Sequence, residues 1–210
     1  PVIAWHGLAR VGRDFDALAR ELAPRYRVIA PDTIGRGLSQ WAEAGAERGD
    51  AEYCFDVYEK IAIDLCDQLA MESVRWVGTS MGGNLGMRLA SRPNTPISKL
   101  ILNDIGPFIP AEGRRHNQAN FGKDPRFDTE AAGVAHVRET RSVFGPFTEA
   151  DWEKFGRDSL RQLPDGQWTL QYDPGLSQPA GAIEDTDNWD LWPLIHCPVL
   201  TMWGMESKLL

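Results

Sequence analysis

The chain predicts an α/β fold, with a parallel sheet of about five strands flanked by helices and a helical insertion ahead of the last strand. Three observations carry this prediction. In the first half, short and nearly continuous apolar runs alternate with amphipathic stretches at helical spacing, the pattern of βαβ units whose sheet is covered on both faces. A serine flanked by glycines stands where one such run passes into such a stretch. The rhythm breaks between Gly106 and Trp192 and then resumes with one more apolar run.

Taken in order, Pro1–Trp5 reads as the first strand. Arg13–Leu22 reads as a helix with Phe15, Leu18, Ala19 and Leu22 on one face. Tyr26–Ala30 is the second strand. A helix from about Glu52 to Leu69 carries Phe55, Tyr58, Ile61, Ala62, Leu65 and Leu69 at the three-to-four period. Ser73–Val77, helix Met81–Ala90, Leu100–Asn103 and Val199–Trp203 complete the series, which leaves Tyr26–Ala30 and Val199–Trp203 as exposed sheet edges. The intervening segment is too long for a plain crossover. Its periodic stretches Thr129–Phe144 and Thr148–Leu163 read as helices, with Thr148 and Asp151 placed as a capping box and Asp165-Gly166 as a turn. The expected division is therefore core 1–106, helical cap 107–192, and core again over 193–210. The aromatics of the insertion (among them Phe144, Phe147, Trp152 and Phe155) either line an apolar pocket or form the insertion's own core.

Composition narrows the classes. A hydrophobic share of 42% with 25% charged residues is that of a soluble globular protein, and no apolar run reaches the length of a membrane span. A formal charge of −8 speaks against nucleic acid or an anionic membrane as partner. Cys54, Cys66 and Cys197 are widely spaced and odd in number, so neither a disulfide framework nor a metal site is expected. A cytoplasmic protein is the expectation, with its oligomeric state open. The chain opens at Pro1 inside a strand-like run and closes at Leu210 soon after another, so a fragment of a longer protein is expected.

The chemistry centres on Gly78-Thr79-Ser80-Met81-Gly82. A serine in this setting sits on a sharp strand-to-helix turn that presents its hydroxyl above the sheet. Residues two before and two after it come so close to neighbouring backbone that both must be small, which Gly78 and Gly82 satisfy. The other notable segment is His6-Gly7-Leu8-Ala9, directly after the first strand. Loop N–H groups there can stabilise an oxyanion, while His6 itself is poorly placed for a general base.

With Pro31-Asp32-Thr33-Ile34-Gly35-Arg36-Gly37-Leu38-Ser39, Asn103-Asp104-Ile105-Gly106-Pro107 and His196-Cys197-Pro198-Val199-Leu200, these motifs resemble the α/β-hydrolases of the cap-bearing esterase, lactonase and C–C hydrolase type, over essentially the whole chain. The resemblance implies that the strands correspond to 4-3-5-6-7 of the family's sheet. It makes Ser80 the nucleophile, with the N–H groups of Leu8 and Met81 as oxyanion hole, and it implies no cofactor and no metal. Relatives carry the triad acid as Asp where this chain has Lys208, and lysine cannot accept an imidazole N–H. Asp104, at the end of the family's sixth strand, and Glu206, two residues before the expected position, are the candidate acids. The family's histidine follows a further strand. His116 and His136 fall in the cap and His196 at the wrong end of the sheet, so the chain on its own is expected to be nearly inactive. The implied function is a serine hydrolase acting through an acyl-enzyme on a small-molecule ester, lactone or similar carbonyl substrate. The alternatives are a C–C bond hydrolase or cofactor-free haloperoxidase on the same scaffold, and a non-catalytic binding protein.

Overall fold

The computed structural model describes residues 1–42, 52–112, 115, 123–176, 184–205 and 207. The core elements are β1 (Val2–Trp5), α1 (Asp16–Leu22), β2 (Val28–Ile29), α2 (Phe55–Gln68), β3 (Val74–Thr79), α3 (Met81–Ala90) and β4 (Ile97–Asn103). After them come β5 (Phe108–Ile109), α4 (Glu130–Thr140), α5 (Glu149–Asp158), β6 (Leu160–Gln162), β7 (Trp168–Leu170), β8 (Thr186–Asp187) and β9 (Val199–Met202). Strands β2-β1-β3-β4-β9 form one five-stranded sheet, parallel throughout. This is the strand order that the motifs implied.

Alternate residues of the central strands feed two cores. Ile3, Trp5, Val74, Trp76, Leu100 and Leu102 pack with Tyr58, Ala62 and Cys66 of α2 and Leu85 and Leu89 of α3. Val2, Ala4 and Val77 pack with Phe15 on the other face. Burial on both faces is what makes these strands read as unbroken apolar runs. Trp5 and Trp76 stack at 5.2 Å with their rings 12° from parallel. Trp76 Nε1 donates to Gly82 O at 2.9 Å and Trp5 Nε1 to Thr33 Oγ1 at 2.8 Å. Buried Glu59 of α2 is paired with Arg88 and Arg92, which fastens α2 to the end of α3. Along the β9 edge, Leu200 is 52% and Met202 42% exposed.

Several boundaries differ from expectation. The second strand contracts to Val28–Ile29, because Arg25 and Tyr26 still donate to Leu22 O and close the end of α1. The first helix opens as a 3₁₀ turn over Gly12–Phe15, and β4 starts earlier, at Ile97. In the insertion, the helix expected over Thr129–Phe144 ends at Thr140 and a 3₁₀ turn follows over Ser142–Phe144. The helix expected over Thr148–Leu163 stops at Asp158. Leu160 to Gln162 instead pair antiparallel with Leu170 to Trp168 around the Asp165-Gly166 turn. The Thr148 capping box is present: Thr148 Oγ1 accepts from Asp151 N and Asp151 Oδ2 accepts from Thr148 N, each at 3.2 Å.

Val134, Val137, Leu160, Leu170, Tyr172 and Leu176 make a separate cluster within the insertion. Phe144, Phe147, Trp152 and Phe155 pack on one another, so they serve the insertion's own core. The insertion is stitched to loops at the carboxyl ends of β1 and β2. Gly37 N donates to Gln171 O at 2.9 Å, Asp173 N to Gly35 O at 2.8 Å, and Arg10 Nη1 to Ser159 Oγ at 2.5 Å. Among the described residues, no helix is long and apolar enough to cross a membrane.

Candidate active site

Ser80 joins β3 to α3 at φ 50° and ψ −114°. A non-glycine residue in such a conformation costs about 1–3 kcal/mol and persists only where its surroundings enforce it. The enforcement is steric. A Cβ on Gly78 would lie 2.3 Å from Gly82 O, and one on Gly82 would lie 2.1 Å from Trp5 O. The turn is therefore pressed against β1, and no side chain fits between them. Ser80 N continues the sheet ladder to Asn103 O at 3.0 Å, and Ser80 O accepts from Gly83 N and Asn84 N at the start of α3. The side chain of Ser80 is half-buried.

The loop after β1 lies alongside. A Cβ on Gly7 would stand 3.7 Å from Ser80 Cβ. His6 is fully buried, and burial pushes its imidazole down to about 4. Its Nε2 accepts from Thr33 N at 2.9 Å, so Nδ1 carries the proton and donates to Gly7 O at 2.7 Å. Both ring nitrogens are thus occupied, Nδ1 within the loop after β1 and Nε2 in tying that loop to the loop after β2. Asp32, from the Pro-Asp motif, fixes the same loops: Oδ1 accepts from Gly12 N at 2.7 Å and Oδ2 from Leu38 N at 2.9 Å.

Arg36 was not singled out from the sequence. It is fully buried behind the site. Its Nε donates to Leu8 O at 2.8 Å, its Nη1 to Ile34 O at 2.7 Å and to Tyr58 Oη at 2.8 Å, and its Nη2 lies 3.6 Å from Met81 Sδ. One guanidinium therefore braces both residues whose N–H groups were expected to hold an oxyanion. The only signal for it was its place between the two glycines of Gly35-Arg36-Gly37, a motif position with no periodicity to mark it.

Asp104 follows β4 at φ 53° and is half-buried. Its N–H donates to Met202 O at 2.7 Å, and its Oδ2 accepts from Ser207 Oγ at 3.0 Å. Among the described residues, its buried Oδ1 has no hydrogen-bond partner. Thr79 pairs in register with Asn103, so Ser80 and Asp104 leave neighbouring strands at the same end of the sheet. Glu206, Lys208 and His116 lie outside the described residues. His136 packs against Phe127 in the insertion, at 5.1 Å between ring centroids. His196 precedes β9, at the opposite end of the sheet from Ser80. No described histidine is thus placed to serve Ser80. Among the described residues, no group of three or more His, Cys, Asp or Glu side chains could hold a metal ion.

A family model described as the alpha/beta hydrolase fold matches residues 1–210. The chain is 37% identical over 220 residues to a 3-hydroxybutyrate-oligomer hydrolase of Cupriavidus necator, an alignment that takes in 100% of this chain and 73% of that protein. It is 38% identical over 109 residues to a 2-hydroxymuconate semialdehyde hydrolase of a Pseudomonas species, covering 51% of this chain and 35% of that one. Among solved structures, a putative hydrolase from Rickettsia typhi superposes with a TM-score of 0.90 at 32% identity, over 100% of this chain and 71% of that one.

Proposed function

From the premise that this chain belongs to the α/β-hydrolase fold family, we propose that it is a serine hydrolase that cleaves a small carboxylic ester through an acyl-enzyme. The observation that carries this is the backbone of Ser80, held at φ 50° and ψ −114° by packing that no larger residue at 78 or 82 would permit. In this reading the Ser80 hydroxyl adds to the ester carbonyl and passes its proton to a general base. The N–H groups of Leu8 and Met81 hold the resulting oxyanion. Collapse breaks the carbon–oxygen bond to the alcohol, which leaves with that proton, and water then releases the acid from Ser80. Arg36 keeps the two oxyanion residues in register.

Asp104 is the acid that orients the base. Its Oδ1 is buried and without a partner among the described residues, the state of an acceptor suited to an imidazole N–H. We place the base itself on a histidine outside the 210 residues, as the family resemblance implies: among the described histidines, His6 is held by Thr33 and Gly7, and neither His136 nor His196 approaches the turn. Residues 107–192 act as a cap over a core made of 1–106 and 193–210, stitched down through Arg36, Gly37 and Arg10. Likeness to the 3-hydroxybutyrate-oligomer hydrolase favours esters of hydroxy acids. Likeness of about half the chain to the semialdehyde hydrolase keeps carbon–carbon cleavage as the second reading.

A fluorophosphonate probe tests the proposal. Labelling at Ser80, lost in Ser80→Ala, supports a nucleophile, and absence of labelling on a chain extended through the added histidine points to a binding role. Adding that segment should raise turnover of p-nitrophenyl butyrate at least a hundredfold, roughly the contribution of a general base. No gain would overturn the placement of the base.

A further inference from the structure

Arg10 takes no part in the proposed chemistry, yet it is a charged residue only 9% exposed. Its backbone N–H donates to Gly7 O at 3.1 Å, which closes Gly7–Arg10 into a four-residue turn around Leu8 and Ala9. Its side chain leaves that turn for the insertion. Nη1 donates to Ser159 Oγ at 2.5 Å, and Cζ lies 3.6 Å from the centroid of the Phe155 ring in α5. Ser159 Oγ is itself fixed, donating to Phe155 O at 2.6 Å. Asp14 takes the other edge of the guanidinium, accepting from Nε at 2.8 Å and from Nη2 at 2.5 Å. A planar fork held along two edges and on one face has little freedom to turn.

A second set of contacts crosses the same joint. Lys154 Nζ lies 3.0 Å from Asp16 Oδ2, and Arg13 Nε 3.0 Å from Asp158 Oδ1. Both cations are exposed, so water and salt weaken these pairs, which join α5 to the start of α1 and not to the Gly7–Arg10 turn. Leu8 is therefore gripped from two sides. Arg36 Nε donates to its carbonyl from the loop after β2, and Arg10 ties its turn to the insertion. We propose that Arg10 is a positioning residue, which carries the placement of the insertion to the Leu8 N–H, so that this oxyanion donor is set only while α5 is docked. A turn closed by its own hydrogen bond moves as one piece, so a displacement of Arg10 displaces Leu8. A shift of about 1 Å is enough to cost about a hundredfold in rate. The proposal rests on the serine-hydrolase reading for what the Leu8 N–H does, and not for the coupling.

Two measurements test it. In the 210-residue chain, amide hydrogen exchange reads the coupling with no substrate present. Ser159→Ala should speed exchange of the Arg10 N–H about tenfold, as loss of one bond to a charged group does. The Leu100 N–H, bonded to Pro198 O in mid-sheet, should be unchanged. In a chain extended to carry the general base, Ser159→Ala should lower kcat about tenfold with KM within about twofold, because a donor is displaced and substrate binding is not. Arg10→Lys, which keeps the charge and loses the fork, should do the same. The double variant should lose no more than either alone, as two members of one coupled unit do. Lys154→Met, which removes an outer tie between α5 and α1, should leave kcat unchanged. Unchanged exchange at Arg10 in Ser159→Ala overturns the proposal, as does additive loss in the double variant. An equal fall in kcat on Lys154→Met also overturns it, since docking of the insertion in general would then set the rate. Should Ser159→Ala fail to fold, Phe155→Leu replaces it in both measurements with the same expectations. Absence of turnover in the extended parent chain counts against the serine-hydrolase reading, and the exchange result then decides the coupling by itself.

Discussion

Strands β3 and β4 run side by side, and each hands the chain to a non-glycine residue at positive φ, Ser80 at 50° and Asp104 at 53°. In both, the N–H reaches across to the next strand, to Asn103 O and Met202 O. Beyond that the two turns part. Around Ser80 the backbone is tightly packed, with Gly78 and Gly82 so close to backbone that a methyl group would overlap it. Around Asp104 the constraint is looser: among the described residues a Cβ on Gly106 would meet nothing within 4 Å, and one buried carboxylate oxygen has no partner. Strain at the first turn is held by shape. At the second it sits beside a buried carboxylate oxygen that pairs with nothing among the described residues.

The sharpest test of this contrast is kinetic, in a chain extended to carry the general base. Ser80→Ala should lower kcat by about a hundred-thousandfold or more with KM little changed, since it removes the reacting atom. Asp104→Asn should cost about a thousandfold in kcat, because an amide can hold an imidazole in the wrong tautomer. Equal activity of Asp104→Asn and the parent would assign Asp104 to the loop alone and leave the acid elsewhere.

The Ser80 side also carries a pH signature through His6. Its imidazole titrates near 6.5 when unfolded and about 4 when folded, so between those values the unfolded chain holds a proton that the folded chain lacks. Stability is therefore full above pH 6.5 and is lost as pH falls towards 4, by up to about 3 kcal/mol. Urea denaturation at pH 7 and pH 4.5 measures it, and His6→Gln should flatten that part of the profile. The smallest effect is a gain. Ser80→Gly relieves the backbone strain at some entropic cost and should stabilise the fold by about 1 kcal/mol while abolishing activity. A loss of stability instead would mean that the Ser80 side chain, not the glycines, holds the turn.

The sheet was legible because its central strands send residues such as Ile3 and Trp5 one way and Val2 and Ala4 the other into covered cores, leaving no polar alternation to mislead. The Met81–Ala90 helix was legible to the residue because the Ser80 turn fixes its start. The β6–β7 hairpin was not. Leu160 and Leu163 continue the helical spacing of the preceding stretch, and three-residue strands are too short to show a period of two. Arg36 was missed for a different reason: an arginine buried whole runs against the ordinary placement of charge, and only Leu8 O, Ile34 O and Tyr58, brought together by the fold, make it tolerable there.

The paired indoles of Trp5 and Trp76 give the molecule an optical consequence. Chromophores stacked at 5.2 Å and 12° couple their strong transitions, so the folded chain should carry a split far-ultraviolet dichroic band. One indole is bonded to Gly82 and the other to Thr33, so the amplitude of that band follows the closing of the corner around Ser80. Refolding of the site can then be timed by light alone, with neither substrate nor inhibitor in the cuvette.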